Sequence, residues 1–593
     1  MRFTHTNDML AVHGKNYTLT FPTDRAFVYL DDAKGQRIAE LFVLSSVHPM
    51  NGRDDTTKIE PWIVRESAAE ITCELHAASL VWKSKTYRFH CCENRFAYEI
   101  EINGYGELAE VDYFGGYSSA QLTWGSGFFW SGQYFKRGFN PEPNTEEQNY
   151  FLPTAGSMID LVGVNLPGKG DWFFTPPPFC FAFETDNGWL ALGVQAEPGA
   201  HRFTEYAYHT QLGFHLSLSY DGHTHVDGTY RLPAIGFDFA ADEFAALQKH
   251  VDVIAGIIPG CHPERSEGSR PPQYKMLRTK CVRRFAQHDR ITPAWWREPI
   301  FCGWGAQGYV AAVRGTRTMD ECRQENYDEF LCTLEGQGIH PGVVVIDDKW
   351  STTYGENMVD ENKWHDLSGF IAQQHMRGRH VLLWLKMWDP EGLPSDECIT
   401  NAAGLPLSCD PSNPKFEKRL RESIRQMLSH AGYDADGFKI DFSARIPAGY
   451  GICTHGDLWG LELMRLYFEI IYDEAKKAKS DALIMTHTPH PYLADVLDMI
   501  RLNDINPGKD TNPAMILRAR VARIACPNAV IDTDNWPQTN RAAWREYLPL
   551  QLELGVPSLY SVTHIDTTLE PLEECDYALI RDLWAKYRAK LVA

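Results

Sequence analysis

The chain is short of positive charge: 57 Lys and Arg stand against 78 Asp and Glu, a formal net charge of −21. A nucleic-acid partner needs clustered cations to displace counterions, so that class is excluded. Long apolar runs are lacking as well. The opening MRFTHTNDMLAVHGK has no signal-peptide core, and no run of roughly 18 apolar residues follows it. The expectation is a cytoplasmic protein that neither spans nor engages a membrane. The 14 cysteines include one adjacent pair, Cys91 and Cys92, but no CxxC and no regular spacing. Neither a structural zinc nor a disulfide framework is expected, and free thiols suit the cytoplasm. No short internal repeat is evident.

What the chain has is length, core material and aromatic rings. Its 593 residues exceed one ordinary domain. With 44% hydrophobic and 23% charged residues it has a globular composition. Its 17 Trp and 26 Tyr suit a protein that covers the C–H faces of sugar rings, although large β domains are aromatic-rich too.

The apolar period divides the chain. Up to about residue 250 it is two: Phe96, Tyr98, Ile100 and Ile102 alternate with polar residues, as do Leu212, Phe214, Leu216, Leu218 and Tyr220. Asn187-Gly188 between two such runs predicts a hairpin turn. This half reads as an antiparallel β-sandwich, residues 1–270, closed by the Pro/Gly/Ser-rich linker 259–273. From about residue 295, short apolar runs alternate with amphipathic helices. The runs are 299–305, 342–348, 380–389, 437–443, 482–488, 498–504, 528–534 and 557–562. Eight strand–helix alternations predict a (β/α)8 barrel over residues 271–593. Its last helix should bury Tyr577, Ile580, Trp584 and Tyr587.

Active sites of such barrels lie at the C-terminal strand ends. Here the runs end in Asp347 and Asp348, Lys386 and Asp389, Lys439 and Asp441, His487, Asp504, and Asp532 and Asp534. Gathering carboxylates at one mouth costs repulsion and desolvation, which stability alone does not justify. Period two sorts them: Lys439 and Asp441 share one face of their strand, and Trp384, Lys386 and Trp388 share one face of theirs. An inward Lys439 would keep Asp441 ionised, as a glycosidase nucleophile must be. The acid/base needs a second carboxyl with a raised pKa, and position leaves both Asp504 and Asp534 open. His487 and His490, three residues apart across a Pro-containing loop, are weak metal-ligand spacing, so no metal or organic cofactor is expected.

VVVIDDKW, LLWLKMWDPEGLP and DGFKIDF together resemble the barrel of the retaining α-glycosidases of glycoside hydrolase families 27, 31 and 36. The best match is the α-galactosidase and raffinose-synthase-like group of family 36, over roughly residues 295–565. FCGWG resembles that group's first-strand Gly-Trp. The resemblance implies Asp441 as nucleophile and Asp504 as acid/base after the sixth strand. It makes Lys439, Asp347 and Asp348 the ligands of sugar hydroxyls. Trp304, Trp384 and Trp388 would line the pocket, with Lys386, His487, Arg501 and Asp534 as further substrate contacts. Three features depart from the group: Lys349 replaces a usual Gly, its Cys/Gly-rich motif is replaced by THTPHPYLADVLDMIRLND, and the chain stops after the eighth helix. The implied activity is exo-hydrolysis of an oligosaccharide or glycoside. The alternatives are transglycosylation, an α-glucosidase or α-xylosidase-like activity, and sugar binding without catalysis.

Overall fold

The structure is a computed structural model that describes residues 1–6, 8–119, 125–141, 149–153, 177–210, 212–257, 292–443, 446–505 and 511–592. The linker expected at 259–273, and with it the boundary at 270, lies outside the described residues.

Two sheets fill the first half. One runs antiparallel through Arg2–His5, Met9–His13, Tyr17–Pro22, Phe27–Asp32 and Arg37–Phe42. The other is larger and centres on the 19-residue strand Arg95–Tyr113. Rings close the gap between them: Tyr17 meets Phe96 at 4.9 Å, and Phe21 meets Phe89 at 5.4 Å. Phe96, Tyr98, Ile100 and Ile102 are all buried, as period two requires. Two details differ from the sequence reading. Leu212 is 80% exposed, because its strand begins only at His215. The hairpin turn is Asp186-Asn187, since Thr185 and Gly188 already face each other as the last pair.

Eight parallel strands form the barrel: β1 Ile300–Cys302, β2 Val343–Ile346, β3 His380–Lys386, β4 Gly437–Asp441, β5 Leu483–Thr486, β6 Met499–Arg501, β7 Val530–Asp532 and β8 Ser558–Leu559. β1 pairs with both β2 and β8, and a single parallel bridge from Asp532 to Val556 closes the ring. β2 is buried at every position, which is why parallel strands read as continuous apolar runs. The helix at Pro414–Leu428 shows how sequence sets its neighbours. Asn413 caps the Lys415 amide, Pro414 takes the first position where no N–H is needed, and Phe416, Leu420, Ile424 and Met427 form the buried stripe. The final helix, Glu574–Val592, buries Tyr577, Ile580, Trp584 and Tyr587.

A carboxylate ties the halves together. Glu462 accepts from the Gly199 and His201 amides at 2.7 and 3.0 Å and from the Tyr492 hydroxyl at 2.7 Å. His223 stacks on Trp459 with ring centroids 3.6 Å apart.

Candidate active site

The first wall of the mouth is built from β1 and β2. Asp347 Oδ2 accepts from Lys439 Nζ at 2.7 Å and from the Cys302 thiol at 2.9 Å. The Tyr327 hydroxyl accepts from the Asp347 amide and donates to Gln307 Oε1, both at 2.8 Å. This explains the glycine of FCGWG: a Cβ at Gly303 would lie 2.0 Å from that hydroxyl. Asp348 is held by the Tyr354 hydroxyl at 2.8 Å. Two ammonium groups lie over the Tyr354 ring, Lys349 at 3.8 Å and Lys386 at 4.2 Å from its centroid. Glu391 pairs with Lys349, and Asp389 with Lys386 at 2.8 Å.

The opposite wall gathers around one guanidinium. Arg501, whose side chain is 2% exposed, places Nη1 2.6 Å from Asp534 Oδ2 and 2.7 Å from Asp504 Oδ1. Its Nη2 lies 3.5 Å from Asp441 Oδ1. Asp441 Oδ1 also accepts from the Phe442 amide at 2.9 Å and lies 3.2 Å from His487 Nε2. Asp441 Oδ2 accepts from the Trp384 indole at 3.3 Å. Burial works to raise the Asp441 pKa, but Arg501 and His487 outweigh it, and the carboxyl is held far below the usual carboxylate range.

The other two carboxyls on Arg501 differ sharply. Asp534 is fully buried, and its Oδ1 also accepts the Asn535 and Trp536 amides at 2.6 and 3.1 Å. Asp504 has 40% of its side chain exposed. The desolvating surroundings of the mouth push its pKa up, Arg501 opposes them, and Asp534 and Asp441 add repulsion that also raises it.

Lys439 shares a strand face with Asp441 and helps to lower its pKa, as expected, but its ammonium pairs with Asp347 at 2.7 Å, and Arg501 is the stronger cationic influence on Asp441. Trp388 has also turned. Its φ is +67°, its indole donates to Ser443 O, and its ring packs on Tyr467 at 5.0 Å. Trp304 meets Trp536 edge-on at 5.9 Å, and Trp536 donates to Asp566 Oδ2. His490 stands apart from His487: it accepts the Tyr492 amide and packs against Phe179. Sequence reasoning missed Cys302, Tyr327, Tyr354 and Trp536. Only Cys302 had a usable signal, its place in the FCGWG strand.

Backbone strain marks the same rim. Lys349, Trp388, Phe442, Asn503 and Asp534 all have φ between +54° and +70°, and they follow β2, β3, β4, β6 and β7. Each such residue costs on the order of 1 kcal/mol, and such costs persist where function holds them.

Buried carboxyls add to that cost. Asp532 is raised to about 6, by burial first and by Asp534 second. A raised carboxyl favours the folded state while protonated. Its contribution is present below the unfolded value of 3.8 and lost as pH rises through about 6. Asp532→Asn keeps an oxygen for the Asp534 amide without the charge. It should raise the melting temperature at pH 8, with the gain gone at pH 4. An equal gain at both pH values would show that charge is not the cause.

No protein-family model matches the sequence, and a search of curated proteins finds no match. Solved structures match by fold. A family 31 sulfoquinovosidase from E. rectale aligns with all of this chain and 83% of its own, at a TM-score of 0.59 and 11% identity. A family 31 dextranase from Flavobacterium johnsoniae, in complex with isomaltotriose, aligns with all of this chain and 70% of its own at 0.50 and 10%. A cycloalternan-forming enzyme from Listeria monocytogenes aligns at 0.52 and 10%, and this chain spans only 54% of it. Both neighbours whose family is named belong to family 31, so these structures do not single out the family 36 match drawn from the motifs. The chain has a family 31-like multidomain fold, with antiparallel sheets ahead of a (β/α)8 barrel.

Proposed function

We propose that the protein is a retaining, exo-acting α-glycosidase with Asp441 as nucleophile and Asp504 as acid/base. One observation carries this reading: of the three carboxyls that share a single guanidinium at the C-terminal mouth of the barrel, Asp441 is held ionised and the partly exposed Asp504 is raised. Pushing two pKa values apart is how a site assigns nucleophile and acid roles. Retention needs the pair close together, about 5–5.5 Å apart, and a shared guanidinium keeps them near one another.

Asp441 Oδ2 is the attacking oxygen, because Oδ1 is occupied by the Phe442 amide, His487 and Arg501. It bonds to the anomeric carbon as the aglycone oxygen departs with the proton of Asp504. Water then attacks that carbon, gives a proton to Asp504 and frees Asp441. Hydrolysis of neighbouring folds' sugars fits this chemistry: a sulfoquinovosidase and a dextranase share the architecture. Among monosaccharides the α-galactoside is the finer proposal, and it rests on the sequence motifs. A panel of 4-nitrophenyl α- and β-glycosides of galactose, glucose, xylose and sulfoquinovose tests the whole reading, with NMR of the first product anomer. Activity on β-glycosides alone, or a first product of inverted configuration, overturns it.

Asp347 and Asp348 are proposed to accept hydroxyls of the terminal sugar. Asp347→Ala also leaves Lys439 buried without its anion. A fall of about 10²-fold or more in kcat/KM is expected for Asp347→Ala, and about 10-fold or more for Asp348→Ala. Wild-type kcat/KM in both variants would remove these residues from the sugar site.

A further inference from the structure

The Arg501 guanidinium has three carboxylate partners, and its charge can balance only part of theirs. Nη1 is shared by Asp504 and Asp534 at 2.7 and 2.6 Å, while Nη2 faces Asp441 at 3.5 Å and Asn503 Oδ1 at 3.4 Å. Both terminal nitrogens are therefore engaged by the protein. Asp534 is the fixed partner, fully buried with two backbone amides on its other oxygen. Asp441 and Asp504 are the partners whose charge changes in the reaction proposed above, and the inference rests on that assignment.

We propose that Arg501 is a positioning residue that couples the charge on Asp441 to the protonation of Asp504, so that one unit of negative charge passes between them across its guanidinium.

Charge counting supports this. Before attack, Asp441 and Asp534 are ionised and Asp504 holds a proton, so Arg501 faces two negative charges. In the glycosylation step the Asp441 Oδ–carbon bond forms, the carbon–aglycone bond breaks, and the proton of Asp504 leaves with the aglycone oxygen. Asp441 is now a neutral ester and Asp504 is ionised. Arg501 again faces two negative charges. Deglycosylation reverses the exchange when water adds to the carbon and its proton goes to Asp504. A cation set between the two carboxyls stabilises whichever one is charged. It therefore serves both half-reactions without moving. The two terminal nitrogens are committed to the three carboxylates and to Asn503 Oδ1, which leaves the buried Nε–H as the donor without a protein partner among the described residues.

The test is the pH profile of kcat/KM on whichever 4-nitrophenyl glycoside of the panel the wild type turns over. Its acidic limb reports ionisation of Asp441 and its basic limb deprotonation of Asp504. Arg501→Gln removes the cation, so both limbs should move alkaline by about one pH unit or more. Glycosyl-enzyme should also accumulate at low pH as an enlarged 4-nitrophenol burst. Arg501→Lys should restore the acidic limb at least halfway. Asp534→Asn removes an anion that raises Asp504, so the basic limb should move acid. This opposite shift carries the test should Arg501→Gln fail to fold. Limbs that stay put while KM alone rises would overturn the coupling and leave Arg501 a sugar ligand. Failure of the underlying reading looks different: the wild type would turn over no glycoside, or Asp441→Ala would remain active.

Discussion

Asp441→Ala is expected to abolish turnover on every glycoside the protein accepts, a loss on the order of 10⁵-fold in kcat. The size follows from covalent chemistry: without the carboxylate no glycosyl ester forms, and neither good leaving groups nor high pH compensates. Neighbouring carboxylates cannot substitute. Asp347 is locked to Lys439 and Cys302, Asp348 to Tyr354, and Asp534 is fully buried. The alanine leaves space beside the anomeric carbon, so azide should enter from that side and give a glycosyl azide of inverted configuration. Mass spectrometry of wild type treated with a 2-deoxy-2-fluoro glycoside bearing a reactive leaving group should locate the sugar on the peptide containing Asp441. A label on Asp347 or Asp348, or turnover by Asp441→Ala within tenfold of wild type, would move the nucleophile elsewhere.

The eight barrel strands were legible because burial on both faces leaves a continuous apolar run, and the structure forms a strand within each predicted run. The ring of polar residues at their ends was legible for the complementary reason: an ionisable group at a barrel mouth has no packing role there. Pairing across the mouth was not legible. Period two gives the face of Lys439 but not its partner, and Asp347 lies 92 residues away. The same limit hid the pairing of Arg501, whose partners Asp441 and Asp534 are 60 and 33 residues distant. Trp388 defeated the period itself, since a positive φ after Lys386 rotates the chain off the strand register. Tyr354 left no trace, because it lies in a loop where no repeat constrains a side chain. Leu212 shows the reverse error: its spacing fits the strand, but the strand begins at His215 and leaves it in solvent.

Asp504→Ala is expected to lose activity in proportion to how much its substrate needs an acid. On a glycoside with a poorly acidic leaving group the fall should be about 10³-fold or more, whereas a 2,4-dinitrophenyl glycoside should be cleaved at close to the wild-type glycosylation rate. Glycosyl-enzyme should then accumulate, since no base remains to activate water. Azide, which needs none, should restore turnover and yield an azide adduct of retained configuration, opposite to that from Asp441→Ala. Asp534 is the competing acid/base, and the two differ physically. Asp504 reaches solvent and carries a raised pKa, while Asp534 is fully buried with Arg501 and two amides on its oxygens. An acid/base must exchange a proton with a departing oxygen and then with water, and a carboxylate enclosed on both oxygens has no path to either. Asp534→Ala should therefore impair good and poor leaving groups alike, with no azide rescue. If Asp534→Ala shows the leaving-group dependence and the azide rescue while Asp504→Ala does not, the roles of the two residues are exchanged.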